Sequence, residues 1–291
     1  MPLAAPVARL LDQFHERRPV RAWSLIVTLY GDAIVPRGGS LWLGALIEIM
    51  ALFRIDAGHV RTAMSRLTAD GWLAREKAGR NSYYRLSQTG EGSFAVATRR
   101  IYFSERRRDA GGLRLALLGP GVDDRSAVRP ALEKAGFVAL SPTVHVAAGD
   151  RPIAAIDGVF LLTVPADDTA RAIAATAWRL APTAEAYRGF IARFAPLAAA
   201  LATSRDPKGA DALVARTLLI HEFRRIVLRD PALPDALLPA DWPEPEARAL
   251  AARIYRRLAP AADAWLDRHG QNEAGALPPP DAAARARFCE S

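Results

Sequence analysis

Apolar residues first cluster at 24–30 (SLIVTLY), a run dense enough for a buried helix or strand, and the run breaks at Gly31-Asp32. Pro36-Arg37-Gly38-Gly39 adds a second stop, so a turn-rich connector follows. From Leu41 the stretch LWLGALIEIMALF is apolar at nearly every position but Glu48, which suits a short helix buried on most of its surface and ending near Arg54. The rhythm then changes. Across residues 57–70 Val60, Ala63, Met64 and Leu67 recur at helical spacing, with Asp56 placed to cap the start and Gly71 to supply the stop. This predicts an amphipathic helix of about three to four turns. At about 100° per residue, the face opposite Val60, Met64 and Leu67 carries Arg61, Thr62, Ser65 and Ala69, with His59 and Arg66 on its flanks.

Directly afterwards, GWLAREKAGRNSYYRLSQTG reads as two strands, 72–76 and 82–86, around a turn at Gly79-Arg80-Asn81. Alternation along the second strand sends Tyr83 and Tyr84 to opposite faces, one to pack on Trp72 and the other to stay exposed. Helix, helix, hairpin is the winged helix-turn-helix order, and 21–90 is predicted to be that domain. Residues 91–112 read as a linker helix ending in the charged run 105–109 and Ala-Gly-Gly. A strand at 113–118, a helix at 124–135, strands at 138–140, 144–147 and 158–164, and a helix at 168–178 give a ferredoxin-like outline for 113–180. Helical patterning at 184–201, 210–228 and 246–266, separated by proline-bearing breaks, predicts a helical C-terminal domain over 181–270. The segment 271–291, with three prolines at 278–280, is predicted to be a disordered tail. The expected class is therefore α+β: winged helix-turn-helix, ferredoxin-like middle domain, helical C-terminal domain.

Composition adds a partner to this outline. The 291 residues, 51% hydrophobic, can bury a substantial core, and the length suggests two or three domains. Of the net charge of +8, residues 1–110 hold 17 Lys and Arg against 10 Asp and Glu, or +7, while 111–291 hold 22 against 21. A GC-rich genome would explain the preference for arginine over lysine but not this asymmetry, which is the footprint of a DNA-binding head on a neutral body. Cys289 is the single cysteine, so neither a disulfide framework nor a cysteine-rich zinc module can form. Neither a secretion signal nor an 18-residue uncharged apolar run is present, and a cytoplasmic location without membrane contact is expected.

The candidate DNA-contacting side chains follow from the charge pattern. Arg61, Thr62 and Ser65 are expected at base edges, because arginine matches guanine O6 and N7 while hydroxyls adapt, and His59 and Arg66 at the backbone. Arg75, Lys77, Arg80 and Asn81 are expected to carry the hairpin tip to phosphates, with Glu76 the one acid among them. In His221-Glu222-Phe223-Arg224-Arg225 the adjacent His and Glu project about 100° apart on a helix and cannot chelate one ion alone, so no metal or cofactor is predicted. Arg225 and Arg229, at i and i+4, could with Arg224 hold an anionic effector; salt bridges to the body are the competing reading. Trp242, Tyr255 and Trp265 read as packing residues. No catalytic residues are predicted, since G-x-S-x-G, P-loop and H-E-x-x-H spacings are lacking.

One resemblance spans nearly the whole chain. Gly31-Asp32, Val60-Arg61-Thr62-Ala63, Ser65-Arg66-Leu67, Asp70-Gly71-Trp72-Leu73, Gly79-Arg80 and Ser82-Tyr83-Tyr84 resemble the N-terminal domain of PaaX-type regulators, the repressors of phenylacetate catabolism. The block LLIHEFRRIVLRDPALPDALLPADW at 218–242 resembles the C-terminal signature of the same family. The resemblance implies a homodimeric repressor on double-stranded operator DNA, with a ferredoxin-like middle domain, released by phenylacetyl-CoA. Arg54 stands where the family pattern has glycine, so it must avoid or tolerate a positive φ. An alternative is a metal-dependent nucleic-acid-processing enzyme, because Cas2-type nucleases share the ferredoxin-like outline. They keep an acid at the end of the first strand; here that strand runs into Gly119-Pro120-Gly121.

Overall fold

The computed structural model describes residues 4–16, 18–19, 21–103, 111–120, 125–149, 156–203 and 209–289. Helices alternate with small sheets whose described pairings are all antiparallel, which makes the class α+β. Contacts divide the chain into two units, one comprising 1–104, 189–228 and 245–291, the other 105–188 and 229–244. The expected C-terminal segment 181–270 is thus shared between them.

In the first unit, helices α1 (Ala4–Glu16), α2 (Ala22–Leu29), α3 (Leu43–Leu52) and α4 (Ala57–Ala69) precede a small antiparallel sheet. Strand β1 (Ser40–Trp42) joins a hairpin of β2 (Leu73–Ala78) and β3 (Asn81–Leu86), in the order β1-β3-β2. The register pairs Leu41 with Tyr84 and Leu73 with Leu86. Helix α5 (Gln88–Tyr102) follows, its first turn capped by the Ser87 hydroxyl accepting from Gly90 N. The chain order puts α6 (Arg125–Lys134), α7 (Asp168–Ala177), α8 (Leu180–Thr203), α9 (Gly209–Val227) and α10 (Glu244–His269) next. Helix α9 is the hub: it packs on α1, α2 and α5, and α2 in turn packs on α4. Leu25, Ile26, Leu29, Phe53, Val60 and Phe223 are fully buried there, each contributing about 1.5–3 kcal/mol over an exposed position.

Two local readings change. Gly31-Asp32 does not stop α2: the backbone continues through a π-helical turn, Tyr30–Ile34, and a short 3-10 turn, Val35–Arg37, until Gly38 leaves at φ +86°. The Asp32 side chain is held in the interior instead of turning its own backbone. The apolar run from Leu41 begins as strand, with helix only from Leu43, because Ser40–Trp42 pairs with β3; the Trp42 ring then folds over Gly44, where a Cβ would lie 2.4 Å from it.

The expected disordered tail is a correction. Residues 271–289 form a small hairpin, β8 (Gln271–Asn272) and β9 (Gly275–Ala276), and a last turn α11 (Ala282–Arg285), with Leu277, Arg287 and Phe288 buried in the first unit. The proline tract does not prevent this, since its extended backbone offers carbonyls: Pro278 O accepts from Arg37 at 3.1 Å, and Asp281 N donates to Pro36 O at 2.9 Å.

The second unit holds β4 (Leu113–Leu118), β5 (Val138–Ala139), β6 (Val144–Ala148) and β7 (Val159–Val164) in the order β5-β6-β4-β7, all neighbours antiparallel. Ala116, Leu132, Phe137 and Ala147 form its core under α6. Trp242 packs edge-on against Tyr187, whose hydroxyl donates to Asp230 at 2.8 Å. The charged run 105–109, expected to close the linker helix, lies outside the described residues. No described helix is long and apolar enough to cross a membrane.

Candidate nucleic-acid interface

The capping predicted for α4 is present: Asp56 Oδ1 accepts from Gly58 N at 2.8 Å and His59 N at 3.0 Å. His59 Nδ1 also bonds the Asp56 carboxylate, and these contacts, the side-chain one foremost, hold the Asp56 pKa down to about 2. His59 is therefore tied to the start of the helix. Helix α4 buries Val60, Ala63, Met64 and Leu67 and leaves Arg61, Thr62, Ser65 and Arg66 exposed, as the periodicity requires. The exposed residues differ in freedom. Thr62 Oγ1 donates back to Gly58 O at 3.0 Å, and Arg66 lies over the Trp23 ring at 5.6 Å with Nε 3.5 Å from Asp70. Arg61 makes no hydrogen bond or ion pair among the described residues, so of the two exposed arginines of α4 its guanidinium is the one left unengaged.

The turn entering α4 accommodates Arg54 directly. At φ +56°, with Ile55 N bonded to Met50 O at 3.2 Å and Arg54 N to Ala51 O at 2.9 Å, it is the left-handed residue of a Schellman motif closing α3. Its guanidinium pairs with Asp12 of α1 at 2.6 Å, half-exposed.

The hairpin is tighter than its sequence suggested, with Gly79 (φ +59°) and Arg80 alone at the tip and Asn81 already in β3, paired with Ala78. Lys77, Arg80 and Asn81 are exposed, and Asn81 Nδ2 donates to Tyr83 at 3.4 Å. Arg75 is held against the hairpin, both Nε and Nη2 donating to Ser82 Oγ. Glu76 is not the sole acid: Glu273 of the β8–β9 turn accepts from Ser40 at 2.6 Å and Arg85 at 2.8 Å, and the Ser40 hydroxyl foremost lowers its pKa. A contact across this sequence separation carried no signal in the chain's pattern. Tyr84 is buried and Tyr83 half-buried, while Trp72 meets Phe94 of α5, not a tyrosine.

The first unit also holds a buried ionic centre that the pattern of the sequence does not announce. Asp32 accepts from Tyr102 at 2.6 Å, Tyr255 at 3.1 Å and Arg216 Nε at 2.8 Å, and Arg287 reaches both its backbone and side-chain oxygens. Arg216 also pairs with Asp263 at 2.8 Å, and buried Arg37 with Asp263 and Asp267. Burial is the largest influence on the Arg216 charge and works against it, but Asp32, Tyr255 and Asp263 together outweigh it and raise the pKa; burial pushes the Tyr255 hydroxyl up to about 12. The Gly31-Asp32 pair was the available signal, and it was read as a turn.

The expected anion clamp is not assembled as the spacing implied. Helix α9 ends at Val227, so Arg229 does not continue the helical face of Arg225. Arg225 lies 3.6 Å from Glu222, which also accepts from Arg193 at 2.6 Å. Arg224 turns inward, Nη2 donating to Ser24 O at 2.9 Å and Oγ at 2.8 Å. His221 is buried with Nδ1 2.9 Å from Thr28 Oγ1, its ring edge-on to Phe14. Tyr255 is buried within the ionic centre, and Trp265 stacks on His269.

Comparison with known proteins converges on one family. Residues 21–90 match the family described as PaaX-like protein, and 178–268 match the PaaX-like protein C-terminal domain. Transcriptional repressor PaaX of Escherichia coli (strain K12) is 35% identical over 288 residues, covering 93% of this chain and 90% of that protein. Among solved structures, the uncharacterized protein Rv0674 from Mycobacterium tuberculosis is similar at 25% identity and a TM-score of 0.47, covering 76% of this chain and 90% of that one.

Proposed function

Because this chain belongs to the PaaX-like family, we propose that it is a transcriptional repressor of an aromatic-acid catabolic operon, acting in the cytoplasm as a homodimer on double-stranded operator DNA and released by an aryl-CoA such as phenylacetyl-CoA. Residues 21–90 are its winged helix-turn-helix: α4 enters the major groove and the β2–β3 hairpin is the wing. The exposed Arg61 face of α4 beside a hairpin tip presenting Lys77 and Arg80 is the observation that carries this reading. Arg61, Thr62 and Ser65 read bases; His59, Arg66, Arg75, Lys77, Arg80 and Asn81 hold the backbone or orient those that do. Two-fold symmetry would match two heads to two half-sites about one helical turn apart.

The second unit is the ferredoxin-like domain in this reading. Its strand order puts the first strand between the third and fourth and the second outside, while the second helix follows the fourth strand instead of preceding it. The chain acts without catalysis, and the nuclease alternative predicts cleavage that needs a divalent ion. The test is fluorescence anisotropy with operator and scrambled duplexes in EDTA, followed by incubation with Mg²⁺ and by light scattering. A stable, operator-selective complex of a dimer, with intact DNA, is expected. Cleavage, or equal affinity for both duplexes, overturns the reading.

A further inference from the structure

Behind the wing the first unit contains a cleft of about 170 Å³ lined by residues of α2, α5 and α9 and closed on one side by Trp72. Its walls are largely apolar and aromatic, with Phe94, Tyr102, Ile220 and Leu228; Arg224 is the cation among them, and the acid, Asp32, is already engaged by Arg216 and Arg287. Arg224 spends Nη2 on Ser24, yet its Nε is buried and finds no acceptor among the described residues. Burial foremost pulls its pKa down to about 10. A buried donor left unmatched costs about 1–3 kcal/mol, and a buried cation seeks an anion or carbonyl.

Size and chemistry together define an occupant. An apolar cavity of about 150 Å³ accepts benzene, so this one accommodates a single six-membered ring with a short side chain. We propose that the cleft is a ligand site for the aryl-acyl end of a monocyclic arylacetic acid or its thioester, the ring between Trp72 and Phe94 and the carboxylate or thioester carbonyl on Arg224. This rests on the effector reading above, and supplies it with a location distinct from the helical face formerly expected for Arg225 and Arg229.

The site is built to be felt at the interface. Trp72 N donates to Leu67 O at 2.9 Å in the last turn of α4, and Trp72 O accepts from Ser87 N at 3.1 Å at the cap of α5. Trp72 and Phe94 already meet edge-on, their ring centroids 6.2 Å apart, too close for a further ring to stack between them as they stand. A ring entering between them displaces Trp72, the exposed one of the pair, and through its backbone bonds to Leu67 and Ser87 the angle of α4 to the wing.

Calorimetric titration of phenylacetate, phenylacetyl-CoA and CoA into the full chain, alongside release of operator DNA, tests the assignment. Saturable binding of phenylacetate or phenylacetyl-CoA but not CoA is expected. Ala97 of α5 lines the cleft, and Ala97→Leu, which fills it, should weaken that binding at least ten-fold while operator affinity without ligand is unchanged. Arg224→Lys, which keeps the charge but alters the donor geometry, should weaken it several-fold. Tight phenylacetate binding would identify the free acid as ligand, and binding of the CoA ester alone the thioester. No saturable binding by the wild type, or binding that Ala97→Leu leaves intact, overturns the site. Binding lost in Ala97→Leu without any release of DNA keeps the site and overturns the effector role.

Discussion

Arg54 shows a side chain tolerated against its backbone preference. A non-glycine residue in the left-handed region costs on the order of 1 kcal/mol, and the exposed Asp12 pair returns about 0–1 kcal/mol. Arg54→Gly is therefore expected to leave stability equal or raise it by up to about 1 kcal/mol in urea unfolding, whereas Arg54→Val, β-branched at φ +56°, should lower it by more than 1 kcal/mol or so. At the next turn, Asp56 contributes stability above its ordinary carboxylate range because its folded pKa is depressed to about 2. That stability is fully present above about pH 4 and is lost as pH falls through 2. Comparing the wild type with Asp56→Asn, which caps without titrating, the wild type's advantage should shrink between pH 4 and 2; a constant difference would refute the linkage. For DNA reading, Arg61→Ala should weaken operator binding by about 1–3 kcal/mol and relax preference at one position. The effect of Arg66→Ala should be smaller and spread over all sequences, because Arg66 is already engaged by Trp23 and Asp70.

At the scale of elements, what was legible in the sequence was whatever depends on local period and capping. The apolar stripe of α4, its Asp56 cap, the hairpin, and the strands of the second unit fall within a residue or two of expectation because burial on one face imposes a period of about 3.6 or 2. What was not legible depends on partners distant in sequence. Trp72 meets Phe94 and not a tyrosine, Arg224 turns inward to Ser24, and Glu273 reaches the hairpin from the tail. The hairpin itself makes a distinct prediction. Arg80, at the tip with no partner among the described residues, should hold phosphate without reading sequence. Arg80→Ala is expected to lower affinity for operator and scrambled DNA alike and to reduce the slope of log K against log salt by about one. A sequence-selective loss would mean that the tip reaches base edges.

Across the whole molecule, the first unit is assembled from three separate stretches of chain, and the Asp32 centre is where they meet. Asp32 comes from the turn after α2, Tyr102 from α5, Arg216 from α9, Tyr255 from α10 and Arg287 from the last residues of the chain. A carboxylate 1% exposed must be fully compensated, and each of these groups is a partner the others cannot replace. Removing one partner of a buried ion pair costs about 3–5 kcal/mol, against a total stability of about 5–15 kcal/mol for a domain. The tail is thus a structural closure of the first unit. Arg287→Ala, or truncation after Ala286, should lower the midpoint of thermal unfolding by roughly 6–20 °C, at about 2–4 °C per kcal/mol for a domain of this size. Operator binding at ambient temperature should weaken with it, because α2 carries Asp32 on its continuation and packs on α4. Glu273→Gln in the same tail is the contrast: its pair with Arg85 is half-exposed, so stability should change by less than about 1 kcal/mol, while removal of one acid beside Arg85, which keeps its pair with Glu76 at 3.1 Å, should raise DNA affinity slightly. Wild-type stability in Arg287→Ala would mean that Arg216 alone compensates Asp32 and that the tail is dispensable to the head.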